Sequence, residues 1–418
     1  MIPRMTASVV TWNSERLVPS LADTLNALLP ICRVIVSDNA STDGTADLLK
    51  REVPGARVMV NPRNGGFGYG NNRVLEVCDT EFLLLLNSDA SISRESLEML
   101  LETLLEDPGL SGIQPLIRLW GWPSITLSAG CSMNEHGFGY DMDFMHFQSL
   151  PDPVPREVPC LTAALSLYRT DAVRRAGGFD ERMFMYFEDI DLSLRLRSLG
   201  GGLLFQPGAE AEHMTGASSG RSAADRWELR SAAYLARKYL GGSGCRLPRY
   251  WTEREWRTRI HAMLHGLPWF WRPGAVAQAV RTPVDPVALS GELLSWVLAP
   301  RPLRMPRPRP PDGSEARLPG DGQVRPGPGW RDGRTGPWGF GCLKVPSGRG
   351  RLHLRIVSCD IPGSVALWSG NRFLCRTFVG GGAAGLTAEL PEGEESAYLV
   401  PDRPEQTLEL ENVHYELL

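Results

Sequence analysis

The sequence predicts an α/β protein: a mainly parallel sheet covered by helices, then a helical extension and a C-terminal all-β domain. Three observations predict this arrangement. Short apolar runs alternate with helical segments over the first half of the chain, a proline-rich segment interrupts both patterns near residue 300, and period-two alternation follows it. A length of 418 residues also exceeds what one ordinary core can bury, so we expect several domains.

Two strand–helix units open the chain. The apolar run 6–12 ends at Asn13, and leucines at helical spacing follow Ser14, which we expect to cap their helix. The run 33–38 repeats this design, because it also ends in polar residues and precedes a helix predicted over Thr45 to Glu52.

Further elements of the same kind follow. Residues 56–60 are a third short strand, and the glycine-rich stretch 61–72 is interpreted as a loop whose backbone amides can approach an anion. Phe82 to Leu86 is a fourth strand, and Ser93 caps a helix predicted over Ser96 to Glu106. This order favours a parallel sheet covered by helices.

Polar side chains end three of these strands. In sheets of this kind ligands bind outside the carboxyl ends of the strands, so we expect the three clusters to meet on one edge. The clusters are Asn13, then Ser37 with Asp38 and Asn39, and finally Asn87 with Ser88 and Asp89.

A second half of this domain continues to about residue 241. Its predicted strands lie at 113–119, 161–169 and 201–206, and its predicted helices open in the segment 187–200 and span Asp225 to Leu240. Glu188, Asp189 and Asp191 begin the first of these helices behind an apolar wall at 184–187. Such a wall can tune a carboxylate to accept a proton, although the helix dipole alone also explains acidic residues there.

We predict four segments with these boundaries: an α/β domain at 1–241, a helical extension at 242–300, a proline-, arginine- and glycine-rich linker at 301–330, and a β-sandwich at 331–418. The extension is rich in tryptophan. Packing against the preceding domain and lying on a membrane surface both remain open for it. Its tryptophans are Trp251, Trp256, Trp269, Trp271 and Trp296.

Composition excludes several classes of protein. The net charge of −4 and the lack of a long basic run argue against a nucleic-acid partner. Eight cysteines without a C-x-x-C pair are typical of buried thiols in a reducing compartment. The sequence shows no export signal and no apolar run of membrane-spanning length. We therefore expect a cytoplasmic protein, with peripheral association at the inner face of the cell membrane left open.

Each motif taken alone can be explained by an ordinary structural role as well as by a functional one. The acceptors Asp38, Asn39 and Asp43 either grip a nucleoside or bond their own turn. Asp89 is either a helix cap or a ligand of a hard divalent cation. The glycine-rich stretch matches neither common phosphate-loop fingerprint, and a lone His213 is more often a satisfied surface or core residue than a ligand.

Taken together, the motifs resemble family 2 glycosyltransferases of the GT-A fold, particularly rhamnosyltransferase-like bacterial members. The matching segments occur in the family's order from about Thr6 to Leu240. They are VVTWNSERLVPSLADTL, VIVSDNASTDGT, NPRNGGFGYGNN, FLLLLNSDA, RRAGGFDERMFMYFEDIDLSLRLRSLG and HMTGASS.

The resemblance implies a role for each matching residue. Asp189 corresponds to the catalytic base with Glu188 beside it, while Asp89 and His213 correspond to contacts with a metal or diphosphate. Asp38 would contact the base or ribose of the donor, and Asp43 would support its turn. The residues implied to bind the nucleotide sugar are Thr11, Asn13, Asp38, Asn39, Asp43, Asn64, Gly65, Gly66, Asn71 and Asn87.

The expected activity is inverting, metal-assisted transfer of a sugar, with rhamnose as one candidate, from a dTDP- or UDP-sugar to a hydroxyl of a glycan or lipid-linked glycan in cell-surface polysaccharide synthesis. Mg²⁺ or Mn²⁺ is the implied cofactor. Asn87 replaces the first carboxylate of the family's D-x-D motif, which leaves strict metal dependence open. A sugar nucleotidyltransferase, and a non-catalytic carbohydrate-binding protein using Trp338 and Trp368, are the alternatives; oligomer formation is also open.

Overall fold

The computed structural model describes the chain with several gaps. The described residues are 4–144, 146–147, 154–214, 221–240, 282–298, 318–320, 322–328, 330–331, 334–335, 340–359, 363–369, 372–379, 383–401 and 408–417. Most of the predicted helical extension, the first part of the predicted linker and Trp338 lie outside them. The chain forms two compact units, the first made of 1–121, 126–144 and 152–301, the second of 122–125, 145–151 and 302–418. The finer domain boundaries stay a prediction.

The first part of the chain alternates strands and helices as predicted. The strands are β1 (Met5–Thr11), β2 (Cys32–Asp38), β3 (Arg57–Val60), β4 (Phe82–Asn87), β5 (Ala90–Ile92), β6 (Leu110–Leu119), β7 (Trp122–Ser128), β8 (Cys131–Met133), β9 (Gly139–Asp141), β10 (His146–Phe147), β11 (Arg156–Glu157), β12 (Leu165–Arg169) and β13 (Gly202–His213). The helices are α1 (Val18–Leu28), α2 (Thr45–Glu52), α3 (Phe67–Val77), α4 (Arg94–Glu106), α5 (Thr170–Arg175), α6 (Glu188–Ser198), α7 (Arg221–Leu235) and α8 (Gly291–Val297), with a 3₁₀ turn at Glu15–Leu17 and a π-helix at Ala236–Leu240.

One mixed sheet organises the strands of the first unit and contains the order β6-β12-β4-β1-β2-β3. Strands β1 to β4 are parallel to their neighbours within this group, whereas β12 runs antiparallel to both β4 and β6. Strand β13 pairs in parallel with β6 and antiparallel with β5. The expected mainly parallel sheet is therefore confirmed, with antiparallel strands added on one side.

The register of the parallel strands aligns their carboxyl ends. Thr11 of β1 lies opposite Asp38 of β2, and Val10 lies opposite Asn87 of β4. The central strand β4 is apolar from Phe82 to Leu86 and is at most 1% exposed there, as expected for a strand covered on both faces. The predicted meeting of the polar clusters on one edge is confirmed.

Two helix predictions are confirmed and one cap prediction is wrong. Helix α2 has the predicted bounds, and the Ser93 hydroxyl accepts the amide of Ser96 as the predicted cap of α4. Ser14 does not cap α1, because its hydroxyl bonds the backbone of Trp12 and a 3₁₀ turn intervenes. Helix α1 begins at Val18, with proline in its first turn, where the missing amide is harmless.

The second half of the glycine-rich stretch is helical, which corrects its interpretation as a loop. Helix α3 begins at Phe67 and includes Gly68 and Gly70. A Cβ on Gly68 would lie 2.9 Å from Cβ of Phe179, and one on Gly70 would lie 2.7 Å from Cγ1 of Val10. Here glycine permits close packing of a helix, so only 61–66 remains a loop.

The predicted elements of the second half are present with different bounds. The strand predicted at 161–169 begins only at Leu165. Strand β6 begins at Leu110, and β13 continues to His213 through an irregular register after Gln206. The helix predicted over Asp225 to Leu240 is divided into α7 and the π-helix. The pattern of this segment predicts four inward residues: Ala232, Leu235 and Tyr239 are buried, whereas Trp227 is only partly buried.

The second unit contains two five-stranded sheets. Its strands are β14 (Arg325–Pro326), β15 (Trp330–Arg331), β16 (Arg334–Thr335), β17 (Gly341–Lys344), β18 (Gly350–Cys359), β19 (Gly363–Ser369), β20 (Arg372–Val379), β21 (Ala384–Leu390), β22 (Ser396–Pro401) and β23 (Leu408–Leu417). The sheet orders are β14-β17-β22-β19-β20 and β15-β16-β23-β18-β21. Trp330, Leu354, Leu367 and Leu399 belong to one shared apolar core, as expected for a sandwich.

Other expectations from the sequence concern thiols and membrane spans. Cys32, Cys78, Cys131 and Cys342 are buried thiols, as predicted. Across the part of the chain that the structure describes, no helix combines the length and apolar character needed to cross a bilayer.

Candidate active site

The end of β2 presents a fixed carboxylate. Asp38 is 1% exposed, and its two oxygens accept hydrogen bonds from Thr11 Oγ1 at 3.3 Å and from the amide of Ser41 at 3.0 Å. Ala40 in the same turn has a positive φ of 58°, which is unusual for a residue with a side chain. The orientation of the Asp38 carboxylate is therefore determined by the turn around it.

A lattice of hydrogen bonds joins the turns after β1 and β2. The amide of Asn13 donates to Ser41 Oγ, and Asn13 Oδ1 accepts the amide of Thr42, both at 2.8 Å. Asp43 accepts the amides of Glu15 and Thr45. These contacts favour a shaping role for Asn13 and Asp43, and for Asp43 they agree with the support that the resemblance implies.

A buried chain of amides connects β2 to the loop 61–66. Asn61 Nδ2 donates to Ser37 Oγ at 2.8 Å and to Asn39 Oδ1 at 2.9 Å, and Asn39 Nδ2 donates to the carbonyl of Gly66 at 2.9 Å. Gly66 has a φ of 92°, and a Cβ on it would lie 2.0 Å from the carbonyl oxygen of Phe184. The loop therefore contacts the segment that leads into α6.

Three other predicted residues shape this loop and the helix after it. Asn64 Oδ1 accepts the amide of Gly66 at 3.0 Å, and a Cβ on Gly65 would lie 2.3 Å from Cγ of Tyr69. Asn71 is buried, accepting Ser8 Oγ at 2.7 Å and donating to the carbonyl of Phe67 at 3.1 Å. Because both ends of its amide bond inside the protein, the geometry favours Asn71 as an anchor of α3 rather than a ligand contact.

The end of β4 brings together the residues predicted to hold a metal. His213 Nε2 lies 3.0 Å from Asp89 Oδ1 and 3.4 Å from Asn87 Nδ2. The pairing of β5 with β13 causes this approach, because Ala90 lies opposite His213. Asp89 is 5% exposed and is not a helix cap, since Ser93 caps α4.

The donor set at this position fits a divalent cation that is shared with a ligand. Asp89 offers a carboxylate and His213 an imidazole nitrogen, both of which ligate Mn²⁺ and related ions. Within the described ranges, no group of three His, Cys, Asp or Glu side chains could hold a metal. A cation held here would therefore take most of its ligands from substrate oxygens and water, as Mg²⁺ commonly does.

The first turn of α6 follows a strained backbone. Tyr186 and Phe187 have φ values of 68° and 65°, in the left-handed region. For residues other than glycine this costs on the order of 1–3 kcal/mol each and is found mainly at functional sites. No glycine marks this turn, so the sequence did not reveal it.

Two carboxylates emerge from this turn into different environments. Glu188 is 6% exposed, and its Oε2 has no hydrogen-bond partner among the described residues. Asp189 Oδ2 accepts the amide of Ala163 at 3.0 Å. Burial, assisted by repulsion from Asp189, raises the pKa of Glu188 to about 8. Burial also raises the pKa of Asp189 to about 6, against the effect of its backbone hydrogen bonds.

A short connection joins this acid pair to the end of β4. Ala163 donates its amide to Asp189, and the carbonyl of the next residue, Ala164, accepts the amide of Asn87 at 2.9 Å. Ala163 therefore bonds the predicted base, and its neighbour Ala164 bonds the N-x-D motif. The base and the motif lie at one site. Asp189 accepts the amides of Ala163 and Ile190, which stabilise its ionised form, whereas Glu188 Oε2 has no partner among the described residues. Asp189 is therefore the carboxylate better suited to accept a proton near neutral pH.

Asp191, the third carboxylate of this turn, belongs to the interior. It is 0% exposed, and it lies 2.8 Å from Arg195 Nη2 and 2.6 Å from Lys238 Nζ. The sequence did not point to Lys238, because a lysine in a helix is ordinarily a surface residue.

Comparison with known proteins agrees with this geometry. A family model described as glycosyltransferase like family 2 matches residues 3–231, more than half of the chain. The chain belongs to glycosyltransferase family 2. With the mixed sheet described above, this membership confirms the predicted GT-A architecture and transferase activity over the two alternatives.

Relatives of this glycosyltransferase include enzymes that are named for rhamnose transfer. The N-acetylglucosaminyl-diphospho-decaprenol L-rhamnosyltransferase of Mycobacterium tuberculosis (strain CDC 1551 / Oshkosh) is 28% identical over 262 residues, covering 55% of this chain and 83% of that protein. Rhamnosyltransferase WbbL of Escherichia coli (strain K12) is 25% identical over 264 residues, covering 56% and 92% respectively. A mannosyltransferase from Pyrobaculum calidifontis, solved with GDP-mannose and Mn²⁺, has a TM-score of 0.43 at 17% identity, covering 66% of this chain and 73% of that one.

The raised pKa of Glu188 predicts a pH-dependent gain in stability for Glu188→Gln. The folded protein keeps a proton on Glu188 up to about pH 8, whereas the unfolded chain releases it near its ordinary value of 4.5. Wild-type stability therefore falls as pH rises through this window, and the variant escapes that loss. Denaturant titrations at pH 5 and 8.5 should show the variant gaining on the order of 2–4 kcal/mol relative to wild type at the higher pH.

The matched control is Glu102→Gln, which alters an exposed carboxylate on α4. Its stability difference from wild type should be nearly the same at both pH values. If Glu188→Gln behaves like this control, the carboxyl group of Glu188 is not protonated in the folded protein at neutral pH.

Proposed function

We propose that this glycosyltransferase moves a sugar from a nucleoside diphosphate sugar to a hydroxyl of a glycan or lipid-linked glycan, with inversion at the anomeric carbon. The observation that carries the proposal is the bridge at 163–164, which bonds Asp189 on one side and Asn87 on the other. A base for the acceptor and a site for the diphosphate therefore share one sheet edge.

The proposed reaction is a single displacement. Asp189 accepts the proton of the acceptor hydroxyl while the acceptor oxygen forms a bond to the anomeric carbon. The bond between that carbon and the diphosphate oxygen breaks, and the nucleoside diphosphate leaves with the electron pair. Because the oxygen attacks opposite the departing group, the configuration inverts. Glu188, kept largely protonated by its burial, adds little negative charge beside the ionised base.

The nucleotide is proposed to bind at the ends of β1 and β2. Asp38 would contact the base or ribose, supported by the bonds that fix its carboxylate. Thr11 and Asn39 would hold the surrounding backbone, and the loop 64–66 would line the donor pocket.

Asp89 and His213 would hold Mg²⁺ or Mn²⁺ at the diphosphate. When bound, the cation neutralises negative charge on the leaving group. Asn87 places a neutral amide where the family commonly has a carboxylate, so the protein contributes less charge to the cation. We therefore propose that the cation binds together with the nucleotide more strongly than it binds alone.

The donor and acceptor are proposed from the names of relatives. Two relatives are named rhamnosyltransferases, and the name of one specifies a lipid-linked N-acetylglucosaminyl diphosphate acceptor. These names support rhamnose as the transferred sugar and a lipid-linked glycan as the acceptor. The dTDP or UDP carrier of the sugar is proposed from the resemblance of the motifs. Because a lipid-linked acceptor is anchored in a membrane, we propose that the protein is cytoplasmic and acts at the inner face of the cell membrane.

Asp189→Asn should abolish most of the transfer activity. The amide keeps the shape of the side chain but cannot accept the acceptor proton, so we expect kcat to fall by about 10²- to 10⁴-fold. Donor affinity, measured by calorimetry with the nucleoside diphosphate, should remain within about twofold. Asp23→Asn, which changes an exposed residue of α1, is the control. Full turnover by Asp189→Asn would remove the proposed base.

Asp89→Asn should remove the metal-dependent part of nucleotide binding. Thermal unfolding of wild type with UDP or dTDP should shift upward by several degrees when Mn²⁺ is added, because a ligand of the native state stabilises it by mass action. The variant should keep the metal-free shift and lose the increment, as should His213→Ala in part. An undiminished increment in both variants would place the cation elsewhere.

A further inference from the structure

We propose that Lys238 is a positioning residue for the acid pair of this enzyme. Its single buried ammonium bonds both ends of the segment 180–191, which carries the strained turn, Glu188 and Asp189. The inference rests on the proposed role of Asp189 as the base.

The contacts of Lys238 are those of a buried cation bridge. Its side chain is 4% exposed, and Nζ lies 2.8 Å from Asp180 Oδ2 and 2.6 Å from Asp191 Oδ1. The side chains of Asp180 and Asp191 are 6% and 0% exposed. Removing one partner of such a bridge leaves an uncompensated buried charge, so the three groups depend on one another.

Besides the shared lysine, Asp180 and Asp191 each bind one arginine and one tyrosine. Asp180 accepts two hydrogen bonds from the guanidinium of Arg182, at 2.8 and 3.0 Å, and one from the Tyr234 hydroxyl at 2.8 Å. Burial alone would raise the pKa of Asp180, but the bonds from Arg182 and Lys238 hold it well below its ordinary value.

Asp191 is held in the same way from the other side. It accepts Arg195 Nε at 2.9 Å and the Tyr239 hydroxyl at 2.8 Å. The amide of Asp191 also donates to the carbonyl of Phe187 at 3.0 Å, closing the first turn of α6 over the strained residue. A shift of Asp191 would therefore move the backbone from which Glu188 and Asp189 project.

Helix α7 holds the middle of the segment. Ser231 Oγ donates to the carbonyl of Met185 at 2.8 Å, and Arg230 Nη2 donates to the carbonyl of Arg182 at 3.3 Å. Left-handed backbone at two adjacent residues persists only where the surroundings over-determine it. Lys238 fixes both ends of the segment 180–191, and α7 fixes the residues in between.

Lys238 lies beyond the segment that the family model matches. The match ends at residue 231, whereas Lys238 and Tyr239 lie in the π-helix that follows α7. Single π turns recur at functional sites. Across the described residues, the donors that reach Asp191 from outside α6 are Lys238 and Tyr239, and both lie in the π-helix.

Stability alone gives little reason for a buried lysine. Replacing a buried ion network with apolar residues of similar volume is often neutral or stabilising. What the network provides is a single geometry for the first turn of α6. Catalytic groups must be held closely, since a misplacement of about 1 Å can cost about 100-fold in rate.

Lys238→Met in the full chain tests the proposal. We expect kcat to fall by about 10- to 100-fold while KM for the donor changes by less than about twofold, because the groups proposed to bind the donor lie at the ends of β1, β2 and β4 and in the loop 64–66, outside the segment 180–191. Unfolding temperature should also fall, since two buried carboxylates lose their shared cation. Assays are run well below the unfolding midpoint of the variant.

Arg169→Met is the matched control for loss of a partly buried cation. Arg169 donates to the backbone carbonyls of Leu104 and Leu110, and it lies opposite Phe82, at the end of β4 away from Asn87. This variant should lower the unfolding temperature and leave kcat within about twofold. A loss of kcat in Lys238→Met but not in Arg169→Met distinguishes a positioning role from general stabilisation.

A second pair of variants, with smaller changes, tests the proposal if Lys238→Met fails to fold. Tyr239→Phe removes only the hydroxyl that bonds Asp191, and Tyr415→Phe removes a comparable hydroxyl that donates to the carbonyl of Gly348 in the second unit. We expect kcat to fall by about three- to tenfold for Tyr239→Phe and to stay unchanged for Tyr415→Phe.

The outcomes separate this proposal from the function on which it rests. Unchanged kcat in the folded Lys238→Met or Tyr239→Phe, beside an inactive Asp189→Asn, would overturn the positioning role and leave the base assignment intact. An active Asp189→Asn would instead overturn the base itself. A fall in kcat confined to Lys238→Met and Tyr239→Phe, with both controls active, supports the proposal.

Discussion

The alignment of parallel strands at one sheet edge is the constraint on which the rest of the site depends. Thr11 lies opposite Asp38 and Val10 opposite Asn87, so strands β1, β2 and β4 finish at the same level. Burial of β4 makes this register costly to change, because a slip of one residue would move each apolar side chain to the other face of the sheet, where its packing partners differ. The polar residues that follow the strands are consequently delivered to one place.

The opposite wall of the site is built by different means. Strand β13 returns beside β6 and brings His213 to Asp89, while the segment before α6 reaches the acid pair through two residues with left-handed backbone. Strain of this kind has to be offset elsewhere, and the buried contacts of Asp180 and Asp191 with Lys238 are available to do so. The nucleotide side thus relies on strand register, and the acid side relies on a buried charge network.

Local signals made much of this fold predictable from the sequence. The bounds of α2 and the cap at Ser93 follow from residue patterns within a few positions, and the polar ends of the strands could be placed once a parallel sheet was expected. Predictions failed where distant contacts decide the local structure. The glycines of α3 serve packing against Phe179 and Val10, which no local pattern shows. Likewise, the cation bridge of Lys238 joins parts of the chain that are far apart in sequence.

The stereochemical outcome of transfer tests the central claim most directly. With Asp189 as a general base and direct attack by the acceptor oxygen, a donor of defined anomeric configuration should give a product of the opposite configuration, measured by proton NMR of the newly formed glycoside. Retention of configuration would contradict the account, because attack by the acceptor oxygen opposite the departing diphosphate can only invert the anomeric carbon.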